Sequence, residues 1–191
     1  IATIDTVGAT LNGVLAGDTG NVTLVASGAS GAFADKAVGN NKPVTVSGLT
    51  LSGSAAGNYT LTQPTLSANI TPAPLTVTGV TAANKVYDGT IIATIDTVGA
   101  TLNGVLAGDT GDVTLVSSGA TAAFADKSVG TGKLVTISGL TLSGSAAGNY
   151  TLTQPTLSAN ITPAGLTISG LTATAKVYDG TTAATLTGTP V

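Results

Sequence analysis

The sequence predicts an all-β chain of tandem repeats, each about 91 residues long and folded as an immunoglobulin-like β-sandwich. Three observations carry this reading. The stretch IATIDTVGATLNGVLAGDTG begins at Ile1 and again at Ile92, and Tyr59 and Tyr87 recur 91 residues later as Tyr150 and Tyr178. The residue vocabulary is that of strands: Thr, Val and Ile abound, while Glu, Arg and Met, which favour helices, are absent. Short runs of period-two alternation are separated by Gly, Asn and Asp clusters throughout.

The complete repeat shows each element in turn. LTVTGV (75–80) alternates with period two, and KVYDGT (85–90) ends in an Asp-Gly turn signal. IIATID (91–96), DVTLVSS (112–118), AAFADK (122–127), LVTISG (134–139), NYTLTQ (149–154) and TLSANIT (156–162) read as further strands. SGSAAGN (143–149) is expected to form a short helical turn. Roughly seven or eight short strands in such a length fit a sandwich. The alternatives are a β-grasp-like repeat or a β-solenoid, whose coils need a sub-period near 20–30 residues that is not seen within the repeat. An aliphatic core is expected, with Phe124, Tyr87 and Tyr150 as its large pieces.

The joints TPAP (71–74) and TPAG (162–165) carry prolines that stop a strand from running on. They divide the chain into a first repeat over 1–73 without its opening strand, a complete repeat over 74–164, and the start of a third over 165–191. Between Ile1–Ala73 and Ile92–Ala164 there are nine differences, all within residues 21–46 of the first copy, which reads as a tolerant, loop-rich region. No initiating Met, basic leader or apolar leader segment is present, so the chain is expected to be a piece of a longer protein. The first copy should expose a sheet edge where its opening strand is missing. Leu166–Leu171 of the third copy is expected to fill that gap in a neighbouring chain, so that self-association proceeds by strand exchange.

Composition limits function. Charged residues are 8% of the chain and the net charge is −3. There is no basic footprint for nucleic acid and no apolar run long enough for a membrane-spanning helix. The absence of His and Cys removes Ser-His and Cys-His nucleophilic chemistry and the usual zinc sites. Asp88, Asp96, Asp109, Asp112 and Asp126 mostly sit in turn signals, and no enzymatic role is expected. No cofactor is expected either. Asp109 and Asp112 in AGDTGD are the calcium candidates, against the reading that Asp109 closes a turn through its side chain. VGTGK (129–133) lacks phosphate-loop spacing. Lys85, Lys127 and Lys133 are the lysines considered for an isopeptide crosslink to an Asn, and Asn21, Asn58, Asn69, Asn149 and Asn160 fit the glycosylation sequon.

The series KVYDGT, GVLAGD, FADK, VGTGK, ISGLTLSG, AGNYTL and ANITPA spans essentially the whole chain. It resembles the YDG repeat domain of large bacterial surface proteins, among them filamentous haemagglutinin-like adhesins. The motif residues carried over are Tyr87, Asp88 and Gly89, then Tyr178, Asp179 and Gly180 in the third copy, with Tyr59 and Tyr150 in the repeated AGNYTL. The resemblance implies an extracellular, bacterial cell-surface protein whose repeats form a stalk that holds an adhesive tip away from the cell. A self-associating filament or biofilm-matrix protein, or a repeat that itself grips a host or matrix ligand, are the alternatives. In the stalk reading the partners of each repeat are its neighbours in the same chain.

Overall fold

The computed structural model describes residues 2–188 and is all β. No α-helix occurs among the described residues. Four single 3₁₀ turns punctuate the strands, and one of them, Ala147–Asn149, lies in the segment expected to make a helical turn. Twelve strand segments fall within Ala73–Thr162, more and shorter than the sequence reading supposed. IIATID, for example, is two separate strands, Ile92–Ala93 and Ile95–Asp96.

The chain divides into two compact units, and both draw on the second repeat. One comprises Ile1–Val77, Thr101–Val116 and Thr141–Thr153. It holds the first repeat's sheet, in the order Ser30–Phe33, Gly39–Ser47, Thr65–Ile70, with antiparallel pairing throughout. It also holds a three-stranded sheet whose centre is Ala73–Thr78, flanked by Thr101–Asn103 and Tyr150–Thr153. Ala73–Thr78 runs parallel to Tyr150–Thr153, with Ala73 opposite Tyr150 and Leu75 opposite Leu152. Most of LTVTGV thus lies in the strand Ala73–Thr78, which pairs with residues of the second copy. Two further hairpin-like pairs, Thr23–Val25 with Thr50–Ser52 and Thr114–Val116 with Thr141–Ser143, are counterparts 91 residues apart.

The core of this unit around the opening strand is aliphatic plus one tyrosine. Leu75 is 0% exposed and is gathered with Val113, Ala146 and Tyr150, while Leu102, Val105, Leu142 and Leu152 close around them. Full burial of one such large aliphatic side chain is worth about 1.5–3 kcal/mol.

The other unit comprises Thr78–Ala100, Ser117–Leu140 and Gln154–Val191. Its main sheet has five strands in the order Lys85–Val86, Thr156–Thr162, Gly130–Ser138, Thr121–Phe124, Ile92–Ala93. The first pair is parallel and the rest are antiparallel. Val135 and Ile137 alternate with exposed neighbours, as a half-buried strand requires, and Phe124, Ala93, Ala159 and Ile161 complete the core. Phe124 and Tyr150 are buried as expected. Tyr87 is not: it stands 39% exposed, although its backbone N–H donates to the Thr162 carbonyl oxygen at 2.8 Å.

The variable region, read as loop-rich, holds the adjacent strands Ser30–Phe33 and Gly39–Ser47. Its differences follow packing rules. Asn41 and its counterpart Gly132 occupy the same left-handed position, with φ of 51° and 61°, in an irregular step of the ladder. Asn and Gly are the residues that adopt this conformation at little cost. Val46 and Ile137 are both buried, so that exchange conserves an apolar side chain.

Candidate functional site: the joint between repeats

The site with most chemistry lies where the first repeat meets the second, within a single compact unit. The 3₁₀ turn Ala107–Asp109 brings Asp109 beneath Tyr150, whose hydroxyl donates to Asp109 Oδ2 at 2.9 Å. The Leu106 N–H donates to the same hydroxyl at 3.2 Å. Lys36 of the first repeat reaches across and donates from Nζ to Asp109 Oδ1 at 2.8 Å. Nearby, the Val38 N–H donates to Asn149 Oδ1 at 3.0 Å. Ile70, Thr71 and Ala73 line the same pocket, of about 300 Å³, as the chain passes from one repeat into the next.

Burial sets the electrostatics. Asp109 is 6% exposed, and the ammonium of Lys36, followed by the Tyr150 hydroxyl, holds its carboxyl below the usual carboxylate range. The hydrogen bond to Asp109 raises Lys36 in turn. Tyr150 is raised chiefly by burial, with the Leu106 N–H opposing and the Asp109 carboxylate reinforcing. The first copy repeats the tyrosine half of this arrangement. Tyr59 donates to Asp18 Oδ2 at 2.8 Å and accepts from the Leu15 N–H at 3.1 Å.

The KVYDGT motif makes a second cluster. Lys85 Nζ donates to Asp88 Oδ1 at 2.8 Å, to the Thr90 and Ile92 carbonyl oxygens at 2.8 and 2.9 Å, and to Thr90 Oγ1 at 3.1 Å. Asp88 Oδ1 also accepts from the Thr90 N–H and hydroxyl, both at 2.9 Å. Gly89 takes φ of 78°, which closes the turn. The Lys85 ammonium, then the Thr90 donors, pull Asp88 from 3.8 down to about 2. The same ammonium lies 5.5 Å from the centre of the Phe124 ring, within cation–π range. In the third copy Lys176, Asp179, Gly180 and Thr181 build the same turn, with Lys176 held by Asp179 and Thr181. Tyr178, beside it, is 93% exposed.

The YDG motif is thus a lysine-stapled turn. A family model for the YDG domain matches residues 1–66 and again 71–157. This chain belongs to the YDG domain family. The second match opens at Thr71, just ahead of the opening strand of the second YDG repeat. No curated protein and no solved structure matches the chain.

The remaining candidate residues of these YDG repeats find ordinary partners. Asp112 accepts from the Ser145 hydroxyl at 3.0 Å, and the two oxygens of Asp109 serve Lys36 and Tyr150. Among the described residues no three carboxylates cluster as an ion site would require. Lys85 and Lys133 engage Asp88 and Asp126 rather than an Asn. The sequon residues Asn69, Asn149 and Asn160 accept backbone N–H groups through their side-chain oxygens. VGTGK, read as a glycine-rich piece, lies largely within the strand Gly130–Ser138. Lys36 was not singled out by sequence, and Lys85 and Asn149 were considered only for crosslinking and glycosylation. The available signal was their place in the repeated FADK, AGNYTL and KVYDGT segments.

Proposed function

We propose that this chain is a segment of the stalk of a secreted bacterial surface adhesin, and that it acts as a spacer without catalysis, cofactor or metal. The observation that carries the reading is the joint. Lys36 and Val38 of one repeat bond to Asp109 and Asn149 of the next, and Asp109 is buried. A spacer needs each repeat fixed to its successor, and Lys127 and Val129 stand at the equivalent places in the second repeat. The adhesive tip and cell-surface location are drawn from the family resemblance. Small-angle scattering on chains of increasing repeat number tests the proposal. The maximum dimension should grow about linearly with repeat number, and a dimension that levels off would refute the spacer reading.

A further inference from the structure

The five-stranded sheet ends in Lys85–Val86 on one edge and Ile92–Ala93 on the other. These two edge strands follow each other in sequence, separated only by the YDG turn. One parallel and three antiparallel steps across the sheet leave them antiparallel to each other. That is the arrangement of a hairpin about Asp88 and Gly89, with Lys85 level with Ile92. Among the described residues, however, no ladder joins the two strands. The Lys85 side chain takes the ladder's place: Nζ donates to the Ile92 carbonyl oxygen at 2.9 Å, from one edge of the sheet to the other.

The segment that makes this closure is bonded to both flanks. On one side the Tyr87 N–H donates to the Thr162 carbonyl oxygen at 2.8 Å, and the Asn160 N–H to Asn84 Oδ1 at 2.7 Å. On the other side the Phe124 N–H donates to the Ile91 carbonyl oxygen at 2.8 Å. The ammonium sits between them, 5.5 Å from the centre of the buried Phe124 ring, and the Lys85 side chain is only 17% exposed. Asp88 and Thr90 supply its other acceptors, so the charge is matched where it leaves water. Lys133 offers a contrast. Its side chain is 13% exposed and pairs with Asp126 at 2.7 Å. But Lys133 belongs to the middle strand, Gly130–Ser138, and Asp126 lies just past the strand next to it, so that pair joins no edges.

We infer that KVYDGT is a clasp: Lys85 ties the two edges of the five-stranded sheet together, so that neither edge offers its backbone to another chain. An open edge templates pairing with a neighbour, and closing a sheet on itself removes the edge. The protection matters in a chain whose charged residues are only 8% of the total, because few charges are left to keep neighbours apart. Opening the clasp frees both flanks at once, Thr156–Thr162 on one side and Thr121–Phe124 on the other, since a single ammonium holds the turn to both. The clasp works in the same way whether or not the repeats serve as a stalk.

The test is native-state hydrogen exchange of the 191-residue chain, read amide by amide. In the unaltered chain the amides of Tyr87, Asn160 and Phe124 should exchange through one shared opening, with the same dependence on low urea. Different dependences for Tyr87 and Phe124 would overturn the inference, and that arm needs no variant. Lys85→Met keeps an unbranched apolar side chain beside Phe124 and removes the ammonium. It should speed exchange at all three amides about tenfold or more. The Ala125 amide, bonded to the Leu134 carbonyl oxygen inside the sheet, should change far less. Lys133→Met should leave the Tyr87, Asn160 and Phe124 amides close to their original rates. On mild warming the Lys85→Met chain should also associate, by light scattering, at temperatures where the Lys133→Met chain stays dispersed. Circular-dichroism melting confirms that each variant is folded. Unchanged exchange in Lys85→Met, equal speeding in Lys133→Met, or equal association of the two variants would overturn the clasp.

Discussion

Replacing Leu75 by Ala should separate the contribution of the opening strand from that of its sequence. Leu75 is 0% exposed and sits against Val113, Ala146, Tyr150 and Leu152. Leu→Ala at such a site costs about 2–5 kcal/mol, the transfer term plus the cavity left behind. Leu166 is the same residue one repeat later in the same local sequence, but it is 96% exposed. Leu166→Ala should therefore stay within about 0.5 kcal/mol of the unaltered chain. The assay is urea denaturation and thermal melting at high dilution, where association between chains makes no contribution. For a chain of this size the Leu75 variant should melt roughly 5–15 °C lower, and the Leu166 variant should be unchanged. Equal losses at the two positions, or no loss at Leu75, would refute the claim that this strand closes the second repeat's core.

Other perturbations have outcomes of known sign. Asp88 and Asp109 have folded pKa values below their ordinary value of 3.8, Asp88 at about 2. Their stabilising effect is present above pH 4 and is lost as pH falls through the folded values, so melting temperature should drop between about pH 4 and 2, and less so in a Lys36→Met, Lys85→Met double variant. Lys36 is raised above 10.5, so its contribution holds at neutral pH and fades only as alkali titrates the ammonium; a loss of the Lys36-dependent stabilisation near pH 8 would contradict this pairing. Tyr150→Phe should lower the melting temperature more than Tyr59→Phe, because only Tyr150 is buried over a lysine-paired aspartate. Gly139→Ala should prevent or severely weaken folding, since φ there is 82° and an added Cβ would overlap the Gly119 carbonyl oxygen, whereas Gly148→Ala, in open space, should be tolerated. Chelator should leave the melting temperature unchanged, and a gain of several degrees with calcium would instead promote Asp109 and Asp112 to ligands.

Much of the fold was legible because strand chemistry is local. The alternation in LVTIS placed Val135 and Ile137 on one face, and both are buried. The Asp-Gly in KVYDGT marked a turn, and Gly89 closes it. The misreadings have physical causes. The region 21–46 read as loop-rich, but a left-handed residue such as Asn41 inside a ladder needs the same residue types as a turn. Tyr87 read as core because aromatics usually are, yet its ring stands 39% exposed on a segment whose backbone is bonded to the sheet. The joint was illegible for a different reason. Lys36 has two identical candidates, Asp18 in its own copy and Asp109 in the next, and sequence offers no ground for choosing between them. Only the path of the chain selects Asp109.

The parallel pairing of Ala73–Thr78 with Tyr150–Thr153 bears on what happens when the chain is pulled from its ends. Tension enters this pair at Ala73 from the N-terminal side and leaves at Thr153 toward the C-terminal side. In a parallel pair those points lie at opposite ends of the ladder, so the two strands are drawn past each other lengthwise. Their hydrogen bonds share the strain and must fail together, instead of opening one after another as in a hairpin pulled from its open end. Lys85–Val86 and Ile161–Thr162 are also parallel and are crossed by tension in the same sense. A repeat that begins and ends in parallel strands is wired to resist stretching far better than its modest core would suggest.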